Sequence, residues 1–166
     1  TTGLKWWADK LFGISIALPG FSGYWDVRSD PHVIKWLNDL IDKKRVDLWV
    51  GHNLKFDLHF LREAGVAIPL DRIDCTMTRA ALISEHEPTY SLDFLARKYA
   101  GMKKDDEIYE EMARLFGGRA TRNAQMPNIS RAPISMVSKY AIQDAVVTLA
   151  LYDWQEEQMR TQNLAQ

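Results

Sequence analysis

The chain has 166 residues and a formal net charge of −1, and its composition is 46% hydrophobic and 26% charged. These values are ordinary for one folded domain and exclude a disordered or collagen-like chain. Uninterrupted apolar runs are only a few residues long, so the sequence predicts no membrane-spanning segment. The single cysteine, Cys75, cannot form an internal disulfide, which favours a reducing cytoplasmic location.

The small net charge conceals an uneven distribution along the chain. Residues 112–143 contain no acidic side chain and five basic ones, namely Arg114, Arg119, Arg122, Arg131 and Lys139. Such a stretch would suit contact with a phosphate backbone. Charge alone favours the simpler interpretation, which is a solvated loop followed by a helix.

The hydrophobic pattern predicts strands and helices in alternation after an initial hairpin. The first half begins with a hairpin over residues 10–27 that turns at Pro19-Gly20, followed by a helix capped by Ser29 or Asp30 with Pro31 in its first turn. A strand over 47–51 comes next. It leads into a helix that begins at about Leu54, is capped by Asn53 and ends at Gly65, and a strand over 72–76 follows. The second half reads as helices at about 76–84, 91–100, 104–116 and 135–162. This order predicts a single α/β domain over residues 1–166, with helices layered on a mixed sheet.

The junction between the predicted strand at 47–51 and the following helix is the first candidate site. With Asn53 as the helix cap, Asp57 lies in the first helical turn, just beyond the carboxyl end of a strand. Open α/β sheets bind ligands at that edge, and the positive end of the helix favours a carboxylate there. An aspartate in a first turn also stabilises a helix without any further role, so this motif alone leaves both interpretations open.

The second candidate site lies in the predicted final helix. Tyr140 and Asp144 are four residues apart, so they lie on one helix face about one turn from each other. Asp144 interrupts a face that is otherwise mainly apolar. An acid in that setting is paired, binds a metal or faces a cleft. Pairing with a nearby arginine is the alternative, and this motif is also weak by itself.

Taken in order, the Asn53-x3-Asp57 motif, the Ser91–Ala96 segment, the basic stretch and the Tyr140-x3-Asp144 motif resemble the DEDD superfamily of 3′–5′ exonucleases. Within it the chain is similar to the proofreading domain of DNA polymerase I-type (family A) polymerases, over essentially its whole length. Tyr140, preceded by Lys139 where the histidine branch has histidine, is typical of the tyrosine branch. The resemblance implies an RNase H-like fold, in which helices flank a mixed five-stranded sheet.

The family pattern has four carboxylates, and only Asp57 and Asp144 can be assigned in this sequence. Its first motif, Asp-x-Glu, ends the first strand and is commonly followed by the residues Thr-Thr-Gly-Leu, with which this chain opens. We therefore expect the Asp and Glu immediately upstream of Thr1, in a longer polypeptide, with the first, central strand truncated here. The internal Asp105-x-Glu107 is interpreted as surface charge.

The resemblance also implies a chemistry and a substrate. Two divalent cations, Mg²⁺ or Mn²⁺, would be held by Asp57 and Asp144 together with the upstream pair, and Tyr140 would orient the attacking water. Candidate substrate-binding residues are Leu4, Asn53 and Phe56. The implied partners are a single-stranded or frayed DNA 3′ end and a polymerase domain in the same parent chain, in the cytoplasm of a bacterial or phage-infected cell, with no membrane association.

Several alternatives stay open at this point. Leu4 would equally suit a loop residue that returns to the core. Trp6 and Trp7, beside Lys5 and Lys10, would suit either stacking on single-stranded bases or packing near the chain end. An RNase D-like RNA exonuclease shares both motifs. A vestigial scaffold that lacks the Asp-x-Glu pair is the non-enzymatic alternative.

Overall fold

The computed structural model describes residues 1–102 and 107–164, and within them the strands form two small sheets. Strands β1 (Gly13–Leu18) and β2 (Phe21–Asp26) pair antiparallel, from Gly13 opposite Asp26 to Leu18 opposite Phe21. Strands β3 (Trp49–Gly51) and β4 (Ile73–Cys75) pair parallel. The carboxyl ends of β3 and β4 consequently meet at the same edge of their sheet.

Local sequence explains the hairpin and its sharp turn. Residues of high β-propensity, among them Ile14 and Ile16, lie in β1, and both of these pack into the core. The turn passes through Gly20, whose φ of 77° lies in the left-handed region that glycine adopts without steric cost. The predicted hairpin over residues 10–27 is therefore confirmed, together with its turn position.

Helices make up most of the rest of the described chain. They are α1 (His32–Asp42), α2 (Leu54–Glu63), α3 (Thr76–Ile83), α4 (Leu92–Leu95), α5 (Glu107–Phe116), α6 (Arg122–Gln125) and α7 (Ile134–Thr161). Short 3₁₀ segments cover Leu70–Arg72 and Met126–Arg131, and a π-helical turn, Ala96–Ala100, extends α4.

The apolar core joins these elements into layers. One cluster centres on Val33 and Leu37 of α1 and reaches side chains of both sheets, including Ile16 of β1 and Trp49 of β3. Helix α7 packs against β1, β2 and β3. Both sheets are therefore enclosed between helices, as the predicted α/β layered fold requires.

The structure also differs from the sequence-based expectations in several places. The described residues form two two-stranded sheets and no continuous five-stranded one, because β1 and β3 do not pair with each other. The predicted helix at 91–100 is α-helical only over its first turn. Helical turns at 122–131 were not predicted. Of the internal Asp105-x-Glu107 motif, Asp105 lies outside the described residues, and so does the predicted start of the helix at 104–116.

Helix α7 is long and apolar enough, by length and composition, to cross a membrane. It is the one such helix in the described ranges, and the expectation based on uninterrupted apolar runs did not identify it. Core helices of globular domains pass the same test, because they too need an apolar surface. Here α7 packs against β1, β2 and β3 and against α3, and it buries Val147 and Leu151.

Candidate active site

A tight turn carries the chain from β3 into α2 and positions Asp57. Asn53, at the N-cap of α2, has φ 55° and ψ 41°, a left-handed conformation that asparagine tolerates better than most residues. Its carbonyl accepts a hydrogen bond from Phe56 N at 2.9 Å, but its side chain makes no capping hydrogen bond. Asn53 thus begins the helix as predicted, through its backbone conformation and not through a side-chain cap.

Asp57 lies in the first turn of α2 and has unusual electrostatic surroundings. Its side chain is solvent-accessible, but the surrounding protein displaces enough bulk water to raise its pKa to about 6. The positive charge that acts on it is the α-amino group of Thr1. The pKa of that amino group is lowered by burial and raised, to a smaller extent, by Asp57. The first residue of the chain therefore contributes to the electrostatic surroundings of the candidate carboxylate.

Helix α7 carries the second motif, in which Tyr140 and Asp144 are both partly buried. They follow the buried Val137 at intervals of three and four residues, and Val147 continues the same face. Helix α7 packs on β3, and α2, which carries Asp57, follows β3 directly, so both motifs lie on elements that adjoin this strand. The hydroxyl of Tyr140 is 3.3 Å from that of Tyr109 on α5.

A buried polar link joins the β3–α2 turn to α7. His52 contacts the Thr76 hydroxyl through Nδ1 and the Tyr90 carbonyl through Nε2, both at 2.9 Å. The Thr76 carbonyl in turn accepts a hydrogen bond of 2.8 Å from the fully buried Gln155 of α7. Because the carboxyl ends of β3 and β4 are adjacent, His52 and Thr76 can meet there. This link fixes the turn that presents Asp57.

Carboxylate oxygens are the ligands that hard divalent cations such as Mg²⁺ prefer, so the donor type of Asp57 and Asp144 fits such a cation. Over residues 1–102 and 107–164, no three side chains of His, Cys, Asp or Glu come close enough together to hold a metal ion. The described residues thus offer carboxylates of the type that a hard cation prefers, but no cluster of three such ligands.

Comparison with known proteins gives the family. The model of a 3′–5′ exonuclease family matches residues 1–160. The chain belongs to this exonuclease domain family. The resemblance read from the two motifs is confirmed, and so is the α/β fold class that it implied.

Relatives of the exonuclease domain are phage and bacterial DNA polymerases. The chain is 52% identical over 166 residues to the DNA polymerase DpoZ of Salmonella phage PMBT28, covering 99% of this chain and 26% of the relative. It is 46% identical over 175 residues to DpoZ of Vibrio phage phiVC8, covering 98% and 28%. DNA polymerase I of Borreliella burgdorferi is 30% identical over 161 residues, covering 92% and 16%. The chain therefore spans about a quarter of its phage relatives.

The predicted substrate-binding residues of the exonuclease domain differ in their surroundings. Leu4 is 81% exposed, so the alternative of a core position is wrong. Phe56 is partly buried, and its ring contacts that of Phe60 at a centroid distance of 4.9 Å. Trp6 stacks on His59 with ring centroids 5.0 Å apart, whereas Trp7 is 67% exposed. Leu4 and Trp7 thus present apolar surface close to the end of the chain that adjoins Asp57.

The basic stretch does not act as one surface in the exonuclease domain. Arg114 pairs with Glu110, Lys139 pairs with Glu107, and Arg131 lies over the ring of Phe116. Arg119 and Arg122 are exposed and make no ion pair with any residue in the described part of the chain. These two arginines are the ones available to a ligand.

Proposed function

We propose that this chain hydrolyses phosphodiester bonds at DNA 3′ ends, as the proofreading domain of a longer polymerase, with two divalent cations as cofactors. The ligands within the chain are Asp57 and Asp144, and the remaining ligands are an Asp and a Glu immediately upstream of Thr1. Three lines of support come from the position of Thr1, the open edges of the two sheets, and the relatives, in which a similar domain is part of a larger polymerase.

The observation that carries the proposal is the proximity of Thr1 to Asp57. The α-amino group of Thr1 acts electrostatically on the Asp57 carboxylate, and Trp6 stacks on His59 of the same helix, so the start of the chain lies along α2. A polypeptide that continues upstream enters at this point. An Asp-x-Glu motif directly before Thr1 then lies beside Asp57, where acidic side chains would complete a cation site.

The sheet edges support the same arrangement. Among the described residues, β1 pairs only with β2 and β3 pairs only with β4. The α1 cluster contacts both sheets, and α7 also packs on both, so the sheets share a common pair of layers. Unpaired strand edges inside a domain leave backbone donors and acceptors unsatisfied. One strand from upstream of Thr1 would pair with both edges and join the sheets.

The side chains have distinct roles in the proposed reaction. The oxygen of a water molecule attacks the terminal phosphorus and the water gives up a proton to solvent. The bond from phosphorus to the 3′ oxygen of the preceding nucleotide breaks, that oxygen takes up a proton, and a nucleoside monophosphate leaves. When bound, the cations neutralise charge on the attacking and leaving oxygens. Asp57 and Asp144 would hold these cations, and Tyr140 would orient the water by hydrogen bonding without ionising. The raised pKa of Asp57 is expected where a carboxylate is desolvated in advance of a cation.

The terminal nucleotide is bound mainly through its shape and backbone. Leu4 and Phe56 offer apolar contact to the terminal base and sugar, and Asn53 supports the β3–α2 turn just before Phe56. Arg119 and Arg122 contact phosphates. Such contacts read no base edges, so any 3′ end is accepted, and a mismatched end is preferred because a frayed strand is easier to separate.

The test measures stepwise shortening of 5′-labelled single-stranded DNA by the complete polypeptide that contains this chain, in Mg²⁺ or Mn²⁺. Asp144→Ala should lower the rate about a thousandfold, because a cation ligand contributes several kcal/mol to transition-state stabilisation. Asp153→Ala is the matched control, since Asp153 is an exposed aspartate on the same helix. It should keep the full rate.

The other outcomes separate the competing functions. Faster shortening of an RNA of the same sequence would favour the RNase D-like alternative. Binding of the strand with no shortening in either cation would support a vestigial scaffold. Activity that survives both a chelator and Asp144→Ala would overturn the proposed ligand.

A further inference from the structure

Tyr140 has a second tyrosine beside it, to which the sequence motifs assign no role. Tyr109 lies on α5 and is only 6% exposed. Its hydroxyl is 3.3 Å from the Tyr140 hydroxyl, and the two rings meet edge to face with centroids 6.2 Å apart and an interplanar angle of 62°. Tyr109 therefore contacts Tyr140 through both its ring and its hydroxyl.

Helix α5 holds Tyr109 firmly against α7. Ile108 and Met112, on either side of Tyr109, are buried in a cluster that includes Val137 of α7. At the surface, Glu107 pairs with Lys139 at 3.4 Å. The ion pair joins residues adjacent in sequence to the tyrosine pair, since Lys139 directly precedes Tyr140. Apolar burial and charge thus set the same alignment of the two helices.

We propose that Tyr109 is a positioning residue that fixes the hydroxyl and ring of Tyr140, an inference that rests on the proposed exonuclease function. A tyrosine hydroxyl can donate one hydrogen bond and accept others, and its hydrogen rotates to suit its partners. A hydrogen bond to Tyr109, in either direction, restricts that rotation. The edge-to-face contact restricts the ring as well. Orientation of a group that positions water affects the chemical step more than substrate binding.

The test is a double-mutant cycle of Tyr109→Phe and Tyr140→Phe in the complete polypeptide, with kcat and KM measured on single-stranded DNA. Tyr109→Phe removes only the hydroxyl and should lower kcat about three- to tenfold, the usual value of one hydrogen bond, with KM unchanged. In the Tyr140→Phe background the same change should have no further effect. A residue that acts only through Tyr140 has nothing to position there.

Tyr24→Phe is the matched control. The Tyr24 ring packs against the same cluster, and its hydroxyl is buried with no hydrogen bond to a described residue. This variant should keep the parental kcat, and thermal melting of every variant shows that the rates refer to folded protein.

Two results would overturn the inference alone: an unchanged kcat for Tyr109→Phe while Tyr140→Phe is impaired, or effects of the two changes that simply multiply. A Tyr140→Phe variant with full kcat would instead overturn the role of Tyr140 in the proposed function, and the inference with it.

Discussion

Asp26 and Asp57 both lie near the end of a strand, and the protein uses them in opposite ways. Asp26 ends β2, is 7% exposed, and accepts hydrogen bonds from the backbone and guanidinium of Arg28. Asp57 follows β3, is accessible, and makes no ion pair with a described residue. The pKa of Asp26 is lowered, chiefly by hydrogen bonding to Arg28, whereas that of Asp57 is raised by desolvation. Asp26 is therefore already paired with the cationic side chain of Arg28. The positive charge of the Thr1 amino group offsets only part of the effect of desolvation on Asp57.

Arg28 shows what the pairing at Asp26 achieves. Its guanidinium also donates to the Ser130 carbonyl at 2.6 Å and lies over the Phe12 ring. The pair therefore ties the hairpin to the helical segment that precedes α7. This contact stabilises the fold, and it leaves neither carboxylate oxygen of Asp26 available to a ligand. The contrast shows that Asp26 is held in a structural ion pair, whereas Asp57 makes no ion pair with a described side chain.

A measurement of exonuclease activity should distinguish the two aspartates most clearly. Asp57→Asn should lower the rate on single-stranded DNA on the order of a hundredfold, because the amide has nearly the same shape but no charge to hold a cation. Asp26→Asn should change the rate by less than about threefold at a temperature where the protein stays folded. The measurement is 3′ shortening of labelled DNA by the complete polypeptide in Mg²⁺.

Equal losses in the two variants would remove the distinction between a structural and a functional aspartate. Circular dichroism and thermal melting of both proteins serve as the control for folding. An inactive Asp26→Asn protein that melts like the parent would contradict the assignment of Asp26 to the fold alone.

Sequence periodicity predicted most elements of the fold, but not those held by side-chain contacts to distant backbone. Alternation and helical spacing predicted the hairpin, the strands at 47–51 and 72–76, and α7; the parallel pairing of those two strands is a finding of the structure. The helical turns at 122–131 have no such pattern. They depend on Gln125, which is 1% exposed and donates through Nε2 to the carbonyls of Gly117 and Arg119, both at 2.9 Å. Contacts of that kind leave no periodic signal in a sequence.

The candidate site divides in a similar way. Motif spacing predicted Asp57, Tyr140 and Asp144 as site residues, since a ligand or water contact would constrain the residue type at each position. The supports of these residues were missed, among them Tyr109 and the link from His52 through Thr76 to Gln155. One signal was available: Gln155 continues the buried series of Val147 and Leu151 at four-residue intervals. A polar residue on a buried stripe has to be hydrogen-bonded.

Asp26, which should matter less than Asp57 for activity, should matter more for the stability of the fold. Asp26→Asn should lower the free energy of unfolding by about 2 kcal/mol, because Arg28 loses a charged partner at a buried position. The folded-state pKa of Asp26 is lowered, so its stabilising effect is complete above the unfolded pKa and is lost as the pH falls through the folded value. Urea denaturation of this chain from pH 3 to 7 measures the free energy of unfolding and its pH dependence. An Asp26→Asn variant that loses as much stability in acid as the parent would contradict the stabilising role of Asp26.

The effect most specific to Asp57 is a pH dependence of stability with the opposite sign. Its folded-state pKa of about 6 lies above the ordinary aspartate value of 3.8, so between these values the folded chain binds more protons than the unfolded chain. Stability should therefore fall as the pH rises from about 4 to 6 and then level off. In Asp57→Asn this decline should disappear while the acid-side loss due to Asp26 remains. Urea denaturation without divalent cations, at half-unit pH steps, isolates the contribution of Asp57 to the pH dependence of stability. If the decline persists in Asp57→Asn, another group is responsible for it; if Mg²⁺ abolishes the decline only in the parent, the desolvated carboxylate is the one that receives the cation.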